Sequence, residues 1–272
     1  MKSRVSPWAS WGLCASFLLA VITGIIINYP YRAEIPLIST VGIEGTVPFG
    51  ALFRYLHYYS GQLAFLLLIW HTTEALLGQS YRYRRPFFWT TLISTYPLTL
   101  LVLFTGYIIR GDETGLLAGR IAENLALKLP LIGELINRLL FAVMEEGAHR
   151  AYLAHVFLSW GLLVGLISWH FRLRRLELQD LALWASVALL LALLFPPSLE
   201  FAPLATHAKG PWFFLGIQEA LRYFSPYLAG LLFPALPLLL LWLCKWWPKR
   251  AALGLLLWHV VYLSFTLVGA LR

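Results

Sequence analysis

Seven runs of about twenty mostly apolar residues follow one another along this chain, and they leave it few ways to fold. They lie near Ser10–Tyr29, Tyr55–Gly78, Phe87–Arg110, Arg150–Phe171, Leu181–Phe195, Tyr227–Trp246 and Ala251–Leu271. A run of that length crosses the hydrocarbon core as a single helix, which satisfies all its own backbone groups where water cannot. Only 12% of the residues are charged, against about 25% in a typical soluble domain. The sequence therefore predicts an all-α, polytopic membrane bundle of seven transmembrane helices. The fifth run is the shortest and stops at Pro196–Pro197. The basic start, Met1 to Pro7, enters the first run without a small-residue cleavage site, so that run reads as a retained span rather than a signal peptide.

Charge orients the bundle. The net charge of +8 is spread over short loops, which points to topology rather than to nucleic acid. With seven spans, one side holds Lys2, Arg4, Arg82, Arg84, Arg85, Arg172, Arg174, Arg175, Lys245, Lys249 and Arg250. The opposite loops mix signs. The positive-inside rule then puts the N-terminus in the cytoplasm and the C-terminus outside, in a prokaryotic cytoplasmic membrane. Trp8, Trp11, Tyr29, Tyr31, Trp246 and Trp247 stand where interfacial aromatics stand. Between the third and fourth runs, Gly111–Gly147 carries Leu116, Leu117, Ile121 and Leu125, then Leu131, Leu135, Leu139 and Leu140. That is one or two amphipathic helices, broken at Pro130 and Gly133, lying in the membrane interface. Cys14 and Cys244 are far apart in apolar segments, so neither a disulfide scaffold nor covalent haem attachment has its residues.

Histidine is expensive inside a span and usually functional there. The second run carries His57 and His71, 14 residues apart; the fourth carries His155 and His170, 15 apart. At 100° per residue these spacings leave offsets of about 40° and 60°, with rises of about 21 and 22 Å. Each helix thus shows two imidazoles on one face at two depths. Both helices run from outside to inside, so depth pairs His57 with His155 near the outer surface and His71 with His170 near the inner one. Two neutral imidazoles opposed across an apolar gap suit an iron porphyrin with two axial nitrogens. Zinc is disfavoured, since its sites cluster their ligands. The reading is two b-type haems stacked between the second and fourth runs. Gly61, Gly161 and Gly165 would let a flat macrocycle approach the backbone. Arg54 and Arg150, at the outer ends of their spans, are placed to neutralise propionates. His149, His207 and His259 have weaker claims to function, and hydrogen bonding or exposure accounts for them as well.

The block Phe53-Arg54-Tyr55-Leu56-His57 to His71, with Thr105-Gly106-Tyr107, Pro130-Leu131-Ile132-Gly133, Arg150 to His155 and His170, resembles cytochrome b of the cytochrome bc complexes. The 14 and 15 spacings are similar to the split form of photosynthetic chains. The resemblance implies two domains: residues 1–175 as a four-helix di-haem domain, with Gly106 in its haem-binding set, and 176–272 as a three-helix domain completing a quinol site. It implies quinol oxidation near the outer haem, in a pocket between the Gly111–Gly147 connection and the loop before the sixth run. It implies a homodimer within a larger complex.

That family carries Pro-Glu-Trp-Tyr in this loop. Here the residues are Gly210-Pro211-Trp212-Phe213, so Trp212 matches and Pro211 replaces the glutamate that accepts a quinol proton. Glu145, Glu146, His207 and Glu219 are the candidate substitutes, and menaquinone is the expected quinone. The split form attaches an extra haem through a cysteine; Trp8 occupies that position and Cys14 lies deeper, so no such haem is expected. No iron–sulfur or c-type motif is present, which calls for a Rieske or multihaem cytochrome c partner. Two other readings stay open: a haem-b membrane anchor of a dehydrogenase or hydrogenase reducing quinone at the inner haem, and a transporter with histidine proton relays, which would show no visible absorption.

Overall fold

The computed structural model describes residues 6–165, 177–201 and 209–272. His170, His207, Lys2, Arg4, Arg172, Arg174 and Arg175 lie outside them. The described residues form helices without strands. In order these are α1 (Pro7–Asn28), α2 (Pro36–Thr46), α3 (Gly50–Leu77), α4 (Ser80–Tyr83), α5 (Pro86–Ile108), α6 (Glu113–Leu127), α7 (Gly133–Leu140), α8 (Val143–Glu146), α9 (His149–Gly165), α10 (Leu178–Leu194), α11 (Leu215–Ala220), α12 (Phe233–Leu243) and α13 (Pro248–Leu271). A 3-10 turn, Trp212–Phe214, precedes α11, and a π-helical turn, Leu228–Leu232, runs into α12.

A helix occupies each of the seven apolar runs. α1, α2, α5 and α13 open on proline, whose missing N–H and fixed φ suit a first turn. α1, α5 and α13 are each long and apolar enough to cross a membrane alone. α3 qualifies only together with α2, from which it turns through 117°, because its arginine, histidines, tyrosines and glutamate lower its hydropathy. The corner between them is Phe49, at φ 58°, followed by Gly50, where a Cβ would overlap the Ile43 carbonyl. Hydroxyls on the outward face of α5 bond back to their own helix: Thr90 to the Pro86 carbonyl, Thr91 to Phe87 and Ser94 to Thr90, each at 3.0 Å. That is how polar side chains are satisfied in hydrocarbon.

The bundle is built from two helix pairs. α3 packs along α1, and α9 packs along α5. α10 lies on α1 and α3; α12 joins α5 to α13; α11 packs on α13. One core gathers Tyr81, Trp89, Leu241, Cys244 and Leu255, and Trp89 Nε1 donates to the Leu241 carbonyl at 3.0 Å. A second core, toward the C-terminal end of α5, gathers Phe104, Ile108, Phe141, Val143 and Ala151, with Phe214 against it. Cys14 and Cys244 are free and buried.

The outer connection is folded and internally locked. α6 ends at Leu127 and α7 resumes at Gly133, so the expected break at Pro130–Gly133 is where the helix stops. Glu123, buried, accepts from Asn137 Nδ2 and from the Met144 backbone N–H, both at 2.9 Å. Asp112 is fully buried. It caps α6 through Gly115 N–H (3.0 Å), pairs with Arg110 (2.5 Å) and accepts from Glu200 N–H (3.1 Å). One carboxylate thereby ties the end of α5, the start of α6 and the segment after α10. Gly111, between them at φ +73°, admits no Cβ, which would stand 2.4 Å from Leu37 N.

Candidate functional site

α3 and α9 face one another across the interior, and His57 and His155 meet there. Their ring centroids are 6.0 Å apart, with planes at 73°. Each ring is held from behind by the helix its own helix packs on. His57 Nδ1 donates to the Ala20 carbonyl of α1 at 2.8 Å; His155 Nδ1 donates to the Val102 carbonyl of α5 at 2.9 Å. A carbonyl only accepts, so Nδ1 carries the proton in both rings. That fixes the tautomer and leaves each Nε2 as the lone-pair nitrogen, the form in which imidazole binds a metal. Two rings that would hold one metal between their Nε2 atoms, at about 2 Å from each, would stand with their centroids about 6 Å apart. The observed pair fits that span.

His71 lies two turns from the inner end of α3, with Nδ1 3.2 Å from Ser10 Oγ. It opens on an apolar cleft between α1, α3, α5 and α12, whose walls include Cys14, Leu68, Trp89, Tyr96 and Leu241. Its expected partner, His170, falls outside the described residues. No cluster of three or more His, Cys, Asp or Glu side chains occurs among the described residues. His259 Nδ1 donates to the Leu255 carbonyl of its own helix at 2.7 Å.

The glycines divide. A Cβ on Gly24 would stand 3.0 Å from His57 Cε1, and one on Gly106 would stand 2.9 Å from His155 Cε1; these two glycines are floors for the imidazoles. Gly61 faces Leu103 on α5, while Cβ atoms on Gly161 or Gly165 would meet nothing within 4 Å among the described residues. Sequence reasoning did not give Gly24 a role. Its signal was there: it follows Thr23 as Gly106 follows Thr105.

Both candidate arginines have carboxylate partners. Arg54 is buried, pairs with Glu44 at the end of α2 and donates to the Pro197 carbonyl at 2.9 Å. Its Nε is buried and meets no acceptor among the described residues, so the guanidinium keeps a donor for a further anion. Arg150 pairs with Glu146 one turn before it, at 2.7 Å, and holds that carboxyl below the usual carboxylate range. Glu219 is buried between Arg222 (3.2 Å) and Arg272 (3.0 Å) and accepts from the Tyr223 hydroxyl, so its charge is spent on structure. Glu145 is exposed and has no ion pair among the described residues. Trp212 donates from Nε1 to Gln62 Oε1 at 2.8 Å and stacks obliquely on Phe65, 5.9 Å away. This fastens the loop before the sixth span to the outer half of α3, one turn and a half below His57.

The family model described as Cytochrome b/b6/petB matches residues 1–177. This chain belongs to the cytochrome b family. The match takes in His57, His71, His155 and His170. Cytochrome b6 of Gloeobacter violaceus is 30% identical over 164 residues, 58% of this chain and 76% of that one. The menaquinol:cytochrome c reductase cytochrome b subunit of Geobacillus thermodenitrificans is 26% identical over 164 residues, 58% of this chain and 73% of that one. The family model stops at residue 177, before α10. A chain of a hyperthermophilic respiratory Complex III superposes over 98% of this cytochrome b and 85% of its own length, with a TM-score of 0.71 at 20% identity. This protein is thus a multi-pass membrane protein with a cytochrome b region over residues 1–177, and its fold as a whole is shared with that Complex III chain.

Proposed function

We propose that this cytochrome b is the quinol-oxidising electron-transfer subunit of a bc-type complex, with two b-type haems between α3 and α9. Haem b supplies reversible one-electron chemistry when bound. His57 and His155 would hold the outer group, and His71 and His170 the inner one. The observation that carries the reading is the outer couple: two imidazoles with protonated Nδ1, 6.0 Å apart, across the centre of the bundle. Arg54, with its uncommitted buried Nε, is the propionate partner; Arg150 stands at the equivalent outer end of α9. The Geobacillus protein's name supports a menaquinol donor and a cytochrome c acceptor; a Rieske protein is the other acceptor class that fits a chain without its own iron–sulfur motif.

The division near residue 175 is part of the proposal. The family model's end at residue 177 supports it; beyond it α10 packs on α1 and α3, and α12 on α5. So is the orientation with the N-terminus in the cytoplasm, which rests on Lys and Arg alone. The outer quinol pocket would lie between α8 and the Trp212 turn. Of the candidate proton acceptors described, Glu146 and Glu219 are held by arginines, which leaves Glu145 for the role. The test is the rate of haem reduction by menaquinol in proteoliposomes. Glu145→Gln should slow it by about 100-fold or more, the size of a general-base contribution, with haem content unchanged. A wild-type rate in that variant removes Glu145, and failure of any quinol to reduce the wild-type protein removes the quinol-oxidising reading.

A further inference from the structure

The two outer imidazoles are backed by the same short sequence on two different helices. Leu19-Ala20-Val21-Ile22-Thr23-Gly24 on α1 and Leu101-Val102-Leu103-Phe104-Thr105-Gly106 on α5 align without a gap, with leucine, threonine and glycine in common. The structural roles repeat as well. The second residue of each segment gives the carbonyl that takes the ring proton, at 2.8 and 2.9 Å. The sixth is the glycine under Cε1. The fifth is a threonine whose Oγ1 lies 3.5 Å from His57 Nδ1 in one case and 3.4 Å from His155 Nδ1 in the other.

Each threonine's own proton is already committed. Thr23 Oγ1 donates to the carbonyls of Leu19 (2.7 Å) and Ala20 (3.1 Å). Thr105 Oγ1 donates to those of Leu101 (2.7 Å) and Val102 (3.1 Å). A hydroxyl that donates backwards along its helix can offer the imidazole only lone pairs. The ring N–H therefore meets a three-centre acceptor: a short arm to the carbonyl and a long arm to the hydroxyl.

We propose that Thr23 and Thr105 are positioning residues of the outer haem, fixing the planes of His57 and His155 and setting the electron donation of their Nε2 atoms. The proposal rests on the haem reading above. An imidazole whose N–H faces extra negative potential is a stronger base at its other nitrogen, which favours the oxidised metal. Removing the hydroxyl while keeping the carbonyl should raise the midpoint potential of the outer haem by a graded amount and leave the site intact. The inner histidine has a different backing, with His71 Nδ1 3.2 Å from Ser10 Oγ, so the inner midpoint should stay where it is.

The test is an optical redox titration of the purified full chain with its haem. The variants are Thr23→Val, Thr105→Val, the double valine, and Thr23→Ser and Thr105→Ser. Valine keeps the branched shape without the hydroxyl, and serine keeps the hydroxyl. The expected result is an upward shift of one midpoint in each valine variant, a larger one in the double, and the wild-type value in the serine variants. Midpoints unmoved or lowered in the valine variants, both haems moving together, or serine failing to restore the shift would each overturn it. A wild-type chain that carries no haem b defeats the underlying reading instead, so the two failures are told apart.

Discussion

Alanine at Gly106 is a direct probe of how tightly the outer imidazoles are seated. The added methyl would stand 2.9 Å from Cε1 and 3.3 Å from Nδ1 of His155. Carbon atoms rest at about 3.5–4.0 Å, so the ring must retreat by roughly 0.5–1 Å. It cannot do so and keep its 2.9 Å bond to the Val102 carbonyl. Overpacking of this kind costs about 1–3 kcal/mol, which at 1.4 kcal/mol per decade is about a 5- to 140-fold loss in haem affinity. Haem per polypeptide, measured by pyridine haemochrome during titration of the purified chain with haemin, reads this directly. Gly42→Ala, on α2, is the control, because a Cβ there meets nothing within 4 Å. Gly106→Ala should lose outer-haem affinity and Gly42→Ala should not. Wild-type affinity in Gly106→Ala would refute the argument that the ring is held between this glycine and its partner.

Two further outcomes follow from the same structure. Asp112→Ala removes a helix cap, worth about 1 kcal/mol, and breaks a buried ion pair, worth about 3–5 kcal/mol; Asp112→Asn keeps an acceptor for Gly115 and should lose less. Thermal unfolding in detergent, with hydrogen exchange over residues 113–127 and 197–201, checks this, and a wild-type melting temperature in Asp112→Ala would contradict it. Gly161→Ala adds a methyl that meets no atom of the described residues within 4 Å. A drop in haem content in that variant would place the macrocycle against α9 at that point, and an unchanged content would place it elsewhere.

Much of this architecture is readable from residue pattern, and what escapes has physical causes. The apolar runs declare the spans because hydrocarbon leaves the backbone one solution. The His57–His155 meeting follows from helical geometry, since a spacing near 14 returns a side chain to the same face. α2 is not legible, being short, interfacial and set by the Phe49–Gly50 corner, where a phenylalanine takes positive φ. The buried anchors Asp112 and Glu123 look like surface acids of an amphipathic segment, and only tertiary packing buries them. Glu219 reads as a spare carboxylate until Arg222 and Arg272 are seen to converge on it from α11 and the end of α13. Arg54 reads as a propionate partner at the end of its span; its burial and its pairing with Glu44 escape, because they depend on α2 folding back onto α3.

The account stands or falls on how much haem the chain holds and which histidines hold it. A pyridine haemochrome count with a reduced-minus-oxidised spectrum should give two b-type haems per wild-type chain. It should give one in His57→Leu and in His155→Leu, and one in His71→Leu and in His170→Leu, with the same spectral component lost within each couple. A wild-type chain with no haem absorption, or His57→Leu and His155→Leu that remove different components, would contradict it.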